Sequence, residues 1–110
     1  MSAGRGEVLA VLTTAPDEAV AERIGRALVD ERLAACANVL PGVTSFFRWE
    51  GAVRRESEVL VILKTTPEAL EALRIRLVEL HPYEIPEVLA LDVRAGHAPY
   101  LEWVREEVGA

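Results

Sequence analysis

The sequence predicts an α+β domain in the order βαββαβ, with a long central β-hairpin and one added C-terminal helix. Three observations carry that prediction. The stretch Val11-Leu12-Thr13-Thr14-Ala15-Pro16-Asp17 lies over Ile62-Leu63-Lys64-Thr65-Thr66-Pro67-Glu68 at a constant offset of 51 residues, as two copies of a strand-helix-strand unit would. Residues Ala35 to Lys64 read as a single hairpin. The apolar runs Val8 to Thr13 and Val88 to Val93 are short enough to be strands beside it. Two such units fused through a hairpin make the split βαβ, or ferredoxin-like, arrangement.

In chain order, Val8 to Thr13 is a continuous apolar run, as expected of an internal strand buried on both faces. Thr14, Pro16 and Asp17 then supply helix-start signals: a hydroxyl cap, a proline in the first turn, and an acid at the positive end of the helix dipole. Val20, Ile24, Ala27 and Leu28 form one apolar stripe at i, i+4, i+7 and i+8, with Glu22, Arg23, Arg26 and Asp30 facing water.

The outgoing arm of the hairpin, Ala35 to Trp49, has 15 residues and at ~3.3 Å per residue reaches roughly 50 Å. A domain of this size has a radius of gyration of about 13 Å. The flanking strands, with six residues each, therefore cover only the hairpin's root. Pro41-Gly42 interrupts the arm, because proline removes a ladder donor and glycine permits a bulge; the strand is expected to bend there and pass its second half to a different neighbour. Beyond the break, Val43, Ser45, Phe47 and Trp49 share one face, and Glu50-Gly51 makes the turn. The return arm is polar from Arg54 to Glu58 and apolar from Val59 to Leu63, so its root is central in the sheet and its tip peripheral. Phe46, Phe47 and Trp49 sit on the distal half and hold most of the aromatic surface in a chain with two Phe and two Trp. Another copy of the chain is expected to cover them, since exposed aromatic strand edges otherwise aggregate.

Thr66-Pro67-Glu68 repeats the helix-start pattern, and Leu70, Leu73, Leu77 and Leu80 mark a second buried stripe. His81-Pro82-Tyr83-Glu84-Ile85-Pro86-Glu87 links it to the last strand, stiffened by two prolines. Pro99 then opens a third helix that turns Leu101, Val104 and Val108 inward, with Tyr100 and Trp103 beside that stripe.

At 110 residues the chain is expected to be one domain, 1–110, with residues 1–6 flexible. A net charge of −6 without a basic stripe argues against nonspecific binding to nucleic acid or an anionic membrane. The run Val8 to Leu12 is too short for a signal-peptide core or a membrane span. One cysteine, Cys36, rules out an intrachain disulfide and points to a reducing compartment, so a cytoplasmic protein is expected. Charge usage is lopsided, with eleven Arg and a single lysine, Lys64.

Three stretches resemble the CutA family, named for divalent-cation tolerance. They are Ala34-Ala35-Cys36-Ala37-Asn38-Val39-Leu40-Pro41-Gly42-Val43-Thr44-Ser45 followed by Trp49-Glu50-Gly51, then His81 to Glu87, then Gly96, Tyr100 and Trp103. The likeness runs from Val8 to about Val108. It implies a ferredoxin-like fold, a homotrimer in which neighbours' hairpins pair, and a suggested role in copper or other divalent-ion handling. Phe47 stands where the family usually has Tyr, and Asp92 where it commonly has Pro. Some relatives have been proposed to bind copper through a first-strand cysteine and adjacent histidines. Here Thr13 and Leu80 take two of those places and only His81 is kept.

The soft-ligand inventory is Cys36, Met1, His81 and His97, with no pair at helical spacing, so the metal candidates are His81 and Cys36, gathered between copies of the chain. Against this, Cys36 also reads as a small buried hydrophobe and His81 as a helix-end cap. Lys64, Thr65, His81, Tyr83 and Glu84 form the candidate ligand pocket, built for a small anion at a strand end beside a helix start; the alternative for Lys64 is a snorkelling strand-end lysine. Phe46, Phe47 and Trp49 are the expected trimer interface. No nucleophile elbow, phosphate loop or paired carboxylates point to an enzyme. A PII-like small-molecule-binding trimer is the competing reading.

Overall fold

The computed structural model describes residues 7–109; the expected flexibility of residues 1–6 lies outside them. Its elements are β1 (Leu9–Ala15), α1 (Glu18–Asp30), β2 (Cys36–Trp49), β3 (Ala52–Thr65), α2 (Leu70–Leu80), β4 (Leu89–Asp92) and α3 (Ala98–Glu107). The four strands form one antiparallel sheet in the order β2-β3-β1-β4, which is the ferredoxin-like plan with a helix appended.

Alternation along the strands divides the sheet into two unlike faces. Val11 and Ala15 of β1 and Val59, Val61 and Leu63 of β3 pack under Ala21, Ile24 and Leu28 of α1 and Leu73 and Leu77 of α2, making the principal core. Thr13 shares that face, wholly buried, and its hydroxyl has no hydrogen-bond partner among the described residues. The other face holds Ala10, Leu12, Leu60, Ile62, Leu89 and Leu91, and no helix among the described residues covers it. Leu89 and Leu91 are about half exposed (51 % and 50 %). β1 was expected to be buried on both faces; instead it alternates buried and half-buried, because the second layer is absent among the described residues. α3 closes one end of the sheet, setting Leu101, Val104 and Val108 against Val8, Ala35 and Ala69.

Local chemistry explains the element boundaries. α1 is capped by Asp17, whose carboxylate accepts from the Val20 N–H at 2.8 Å, and not by Thr14, which lies within β1. Gly25 of α1 sits where a β-carbon would come within 3.0 Å of the Ala37 β-carbon, so its lack of a side chain sets how closely α1 approaches β2. β4 has four residues and not six, and all four are exposed at the sheet's edge.

The hairpin forms as expected, with Trp49 facing Ala52 across a two-residue turn in which Glu50 (φ 51°) and Gly51 (φ 80°) are both left-handed. At the predicted break, Leu40 faces Leu60 but Val43 faces Glu58, so Pro41-Gly42 carries one extra residue, with Gly42 at φ 85°. The expected change of neighbour does not occur: β2 stays paired with β3 along its whole length. β1 reaches only to Val59, so beyond it the hairpin is a two-stranded ribbon, and the domain measures 48 × 25 × 22 Å. Phe46 (68 %) and Val53 (64 %) are largely exposed there.

Candidate functional site

A cleft of about 770 Å³ opens where the ribbon leaves the body. One wall is the hairpin, with Ser45, Phe46, Phe47 and Trp49 on β2 and Arg54, Glu56 and Glu58 on β3. The other is the segment after α2, with Pro82, Tyr83, Glu84, Ile85 and Glu87. The strand register puts Phe47 opposite Arg54, Ser45 opposite Glu56 and Val43 opposite Glu58, so pleating turns these side chains to one side together.

His81 anchors the second wall. Its Nε2 lies 2.7 Å from the Thr14 carbonyl oxygen and its Nδ1 accepts from the Tyr83 N–H at 3.1 Å, so the ring is the neutral tautomer that donates at Nε2. The imidazole is buried and packs 4.6 Å, centroid to centroid, from the Tyr83 ring. Tyr83 in turn donates its hydroxyl to Glu58 Oε2 at 2.6 Å, and Glu58 is only 7 % exposed. Burial, then the bond to Glu58 and its charge, then Glu56 and Asp17, all push the Tyr83 phenol well above its ordinary range. The cleft therefore carries a negative field: four carboxylates line it against one guanidinium.

The residues expected to form one pocket are split. Tyr83 and Glu84 line the cleft, with His81 behind them. Lys64 and Thr65 lie beside Ala10 and Leu9, while His81 bonds at Thr14, four residues along β1 or roughly 13 Å away. Thr65 is buried and donates its hydroxyl to the Leu33 carbonyl at 2.7 Å. The Lys64 ammonium donates to Asn38 Oδ1 and lies 3.7 Å from Cys36 Sγ, so a cation already sits against the thiol. Tyr100 completes that second group, its phenol pushed up first by burial and then by Cys36.

As metal candidates, His81 has both ring nitrogens engaged and Cys36 faces an ammonium at the other end of the sheet. Among the described residues no group of three or more His, Cys, Asp or Glu is placed to hold a metal ion. Phe46 and Phe47 are exposed and Trp49 half-buried on the ribbon, where their proposed interface role leaves them available.

Sequence reasoning treats Arg54 to Glu58 as a polar, peripheral arm and misses Glu56 and Glu58 as cleft residues. The signal is nonetheless present. A two-residue turn at Glu50-Gly51 fixes the register, and the register sets Glu56 and Glu58 on the side of Ser45 and Phe47.

This fold and cleft define a small ferredoxin-like protein with a half-covered sheet and an acid-lined cleft at the base of a projecting hairpin. Residues 9–107 match the family described as CutA1 divalent ion tolerance protein. The chain is 50 % identical over 99 residues to the divalent-cation tolerance protein CutA of Thermus thermophilus, covering 90 % of this chain and 96 % of that one. A solved structure of the Cut A1 protein from Thermus thermophilus superposes with a TM-score of 0.91 at 48 % identity, over 93 % of this chain and 99 % of the other. Identity to the human Protein CutA is 46 % over 101 residues, 92 % of this chain but only 56 % of that longer protein. A structure described as the periplasmic divalent cation tolerance protein CutA from Archaeoglobus fulgidus superposes with a TM-score of 0.88 at 34 % identity, covering 91 % and 97 % of the two chains. The chain belongs to the CutA1 divalent ion tolerance family.

Proposed function

We propose that the chain works as a non-enzymatic homotrimer that binds a divalent cation, copper being the ion the family resemblance implies, in clefts closed between subunits. The observation that carries this reading is the cleft itself, where Glu56, Glu58, Glu84 and Glu87 outnumber Arg54 at the point where the hairpin leaves its own subunit. Assembly is supported by three surfaces: the uncovered sheet face with Leu89 and Leu91, the outer edges of β2 and β4, which pair with no strand among the described residues, and the aromatic ribbon. A cation held by carboxylates from one subunit needs further donors, and a neighbour's hairpin is the nearest source of them. With no site of three ligands among the described residues of one chain, affinity depends on assembly.

No helix among the described residues is long and apolar enough to cross a membrane. The compartment we propose is the cytoplasm, supported by the unpaired Cys36, although one solved relative is described as periplasmic. No observation favours the PII-like alternative.

Light scattering and calorimetric titration with copper(II) on one sample test the reading. The expected result is a mass three times that of the chain and saturable copper binding that weakens in the Glu56→Gln/Glu84→Gln variant. A monomer at micromolar concentration, or copper binding unaffected by those substitutions, overturns it.

A further inference from the structure

The cleft has two properties that a bare metal ion does not use. Its walls include the rings of Phe47, Trp49 and Tyr83, and its volume of about 770 Å³ is that of a small-molecule site. A hydrated metal ion gains little from ring faces and needs several oxygens converging on a point, which the described residues of one chain do not provide. An organic ammonium carries the same sign of charge on an apolar body, and both parts find partners here. The ammonium meets carboxylates and the negative faces of aromatic rings, and the hydrocarbon meets the rings' area.

Glu58 is the deepest of the four acids and is held by Tyr83, so its charge is fixed in place at the floor. Glu56 and Glu84 are exposed at the mouth, and the Arg54 guanidinium is the one opposing charge along the cleft's described lining. Glu58, Glu56 and Asp17 also bear on the Tyr83 phenol, which burial is the first to push up.

We propose that this cleft binds a small organic cation, a primary ammonium on an aromatic or aliphatic body, with the charge between Glu56, Glu58 and Glu84 and the body against Trp49 and Tyr83. This ligand differs in class from the divalent cation proposed above, and it stands or falls separately.

The test uses the full chain carrying Trp103→Phe, which leaves Trp49 as its one tryptophan, titrated with benzylamine, with benzyl alcohol as the neutral counterpart and with benzoate as the anion. Benzylamine is expected to change Trp49 emission and to bind about tenfold more tightly than benzyl alcohol, with benzoate showing no saturation. Raising the salt concentration weakens the amine alone. Glu56→Gln and Glu84→Gln, both exposed and remote from the core, are each expected to weaken benzylamine roughly threefold to fivefold without altering the unfolding midpoint. Equal binding of amine and alcohol would reduce the site to an apolar groove and overturn the proposal. Tighter binding of benzoate would hand the site to Arg54 and overturn it equally. No response to any of the three would overturn it as well, leaving the cleft to another copy of the chain. A parallel copper(II) titration of the same sample separates the two readings, because amine binding without copper binding retains this proposal and discards the other.

Discussion

The two halves of the hairpin share one pair of strands and one continuous ladder, yet they live in different surroundings. The root, Cys36 to Leu40 against Leu60 to Lys64, has β1 on its flank and α1 above it, and Val61 and Leu63 are wholly buried. The distal half, Val43 to Trp49 against Ala52 to Glu58, has no strand at its flank and no helix above it among the described residues; Tyr83 covers Glu58 at its base, and Phe46 and Val53 stand in the open. Pairing is encoded locally by the turn and register. Cover is encoded by how many other elements the chain supplies, and β1 and β4 are too short to supply it beyond the bulge. The root is thus a folding unit and the ribbon a surface.

Substitutions along this gradient test the contrast, beginning with the largest effect. Leu63→Ala at the root is expected to cost about 2–5 kcal/mol in urea unfolding, through lost burial and a residual cavity. Gly25→Ala, which drives a β-carbon to 3.0 Å from Ala37, should cost roughly 1–3 kcal/mol, since both backbones there are packed. A neutral result would mean that α1 can lift from β2 freely.

At the boundary, Tyr83→Phe removes the bond to buried Glu58 and is expected to cost roughly 1–2 kcal/mol near neutral pH. Its pH dependence has a definite sign. The folded phenol titrates above its ordinary value of 10, so the stability it contributes is complete below pH 10 and is lost as pH climbs through the raised folded value, because the unfolded chain gives up its proton first. The Phe variant should show a flatter decline in the alkaline limb of a stability–pH curve. An identical decline in both proteins would place Tyr83 in solvent.

Gly42→Ala at the bulge should cost about 1 kcal/mol, the penalty of a side chain in the left-handed region. Phe46→Ala on the ribbon should leave the stability of the dilute chain within about 0.5 kcal/mol. In the proposed trimer it should instead weaken association about tenfold, read as a shift in the concentration midpoint by light scattering. If Phe46→Ala destabilised the dilute chain as much as Leu63→Ala, the contrast between the halves would fail.

Much of this is readable from the residues. Glu50-Gly51 and Pro41-Gly42 mark turn and bulge, and the leucine spacing of α2 marks its buried side. The cap of α1 is harder to read because Thr14, Pro16 and Asp17 offer competing start signals within four residues, and the β1 ladder runs through to Ala15. The pocket residues fall apart for a different reason. Thr65 precedes α2 and His81 follows it, and an 11-residue helix spans roughly 16 Å, so its own length holds the two ends apart. Glu56 and Glu58 are hidden because their neighbours in space come from a segment 25 or more residues away in the chain, and local pattern carries no record of that meeting.

The double engagement of His81 makes that ring a latch. Any metal ion that claims the Nδ1 lone pair must evict the amide of Tyr83, whose side chain covers Glu58. An incoming ligand and the Tyr83 backbone thereby compete for one lone pair at the back of the cleft.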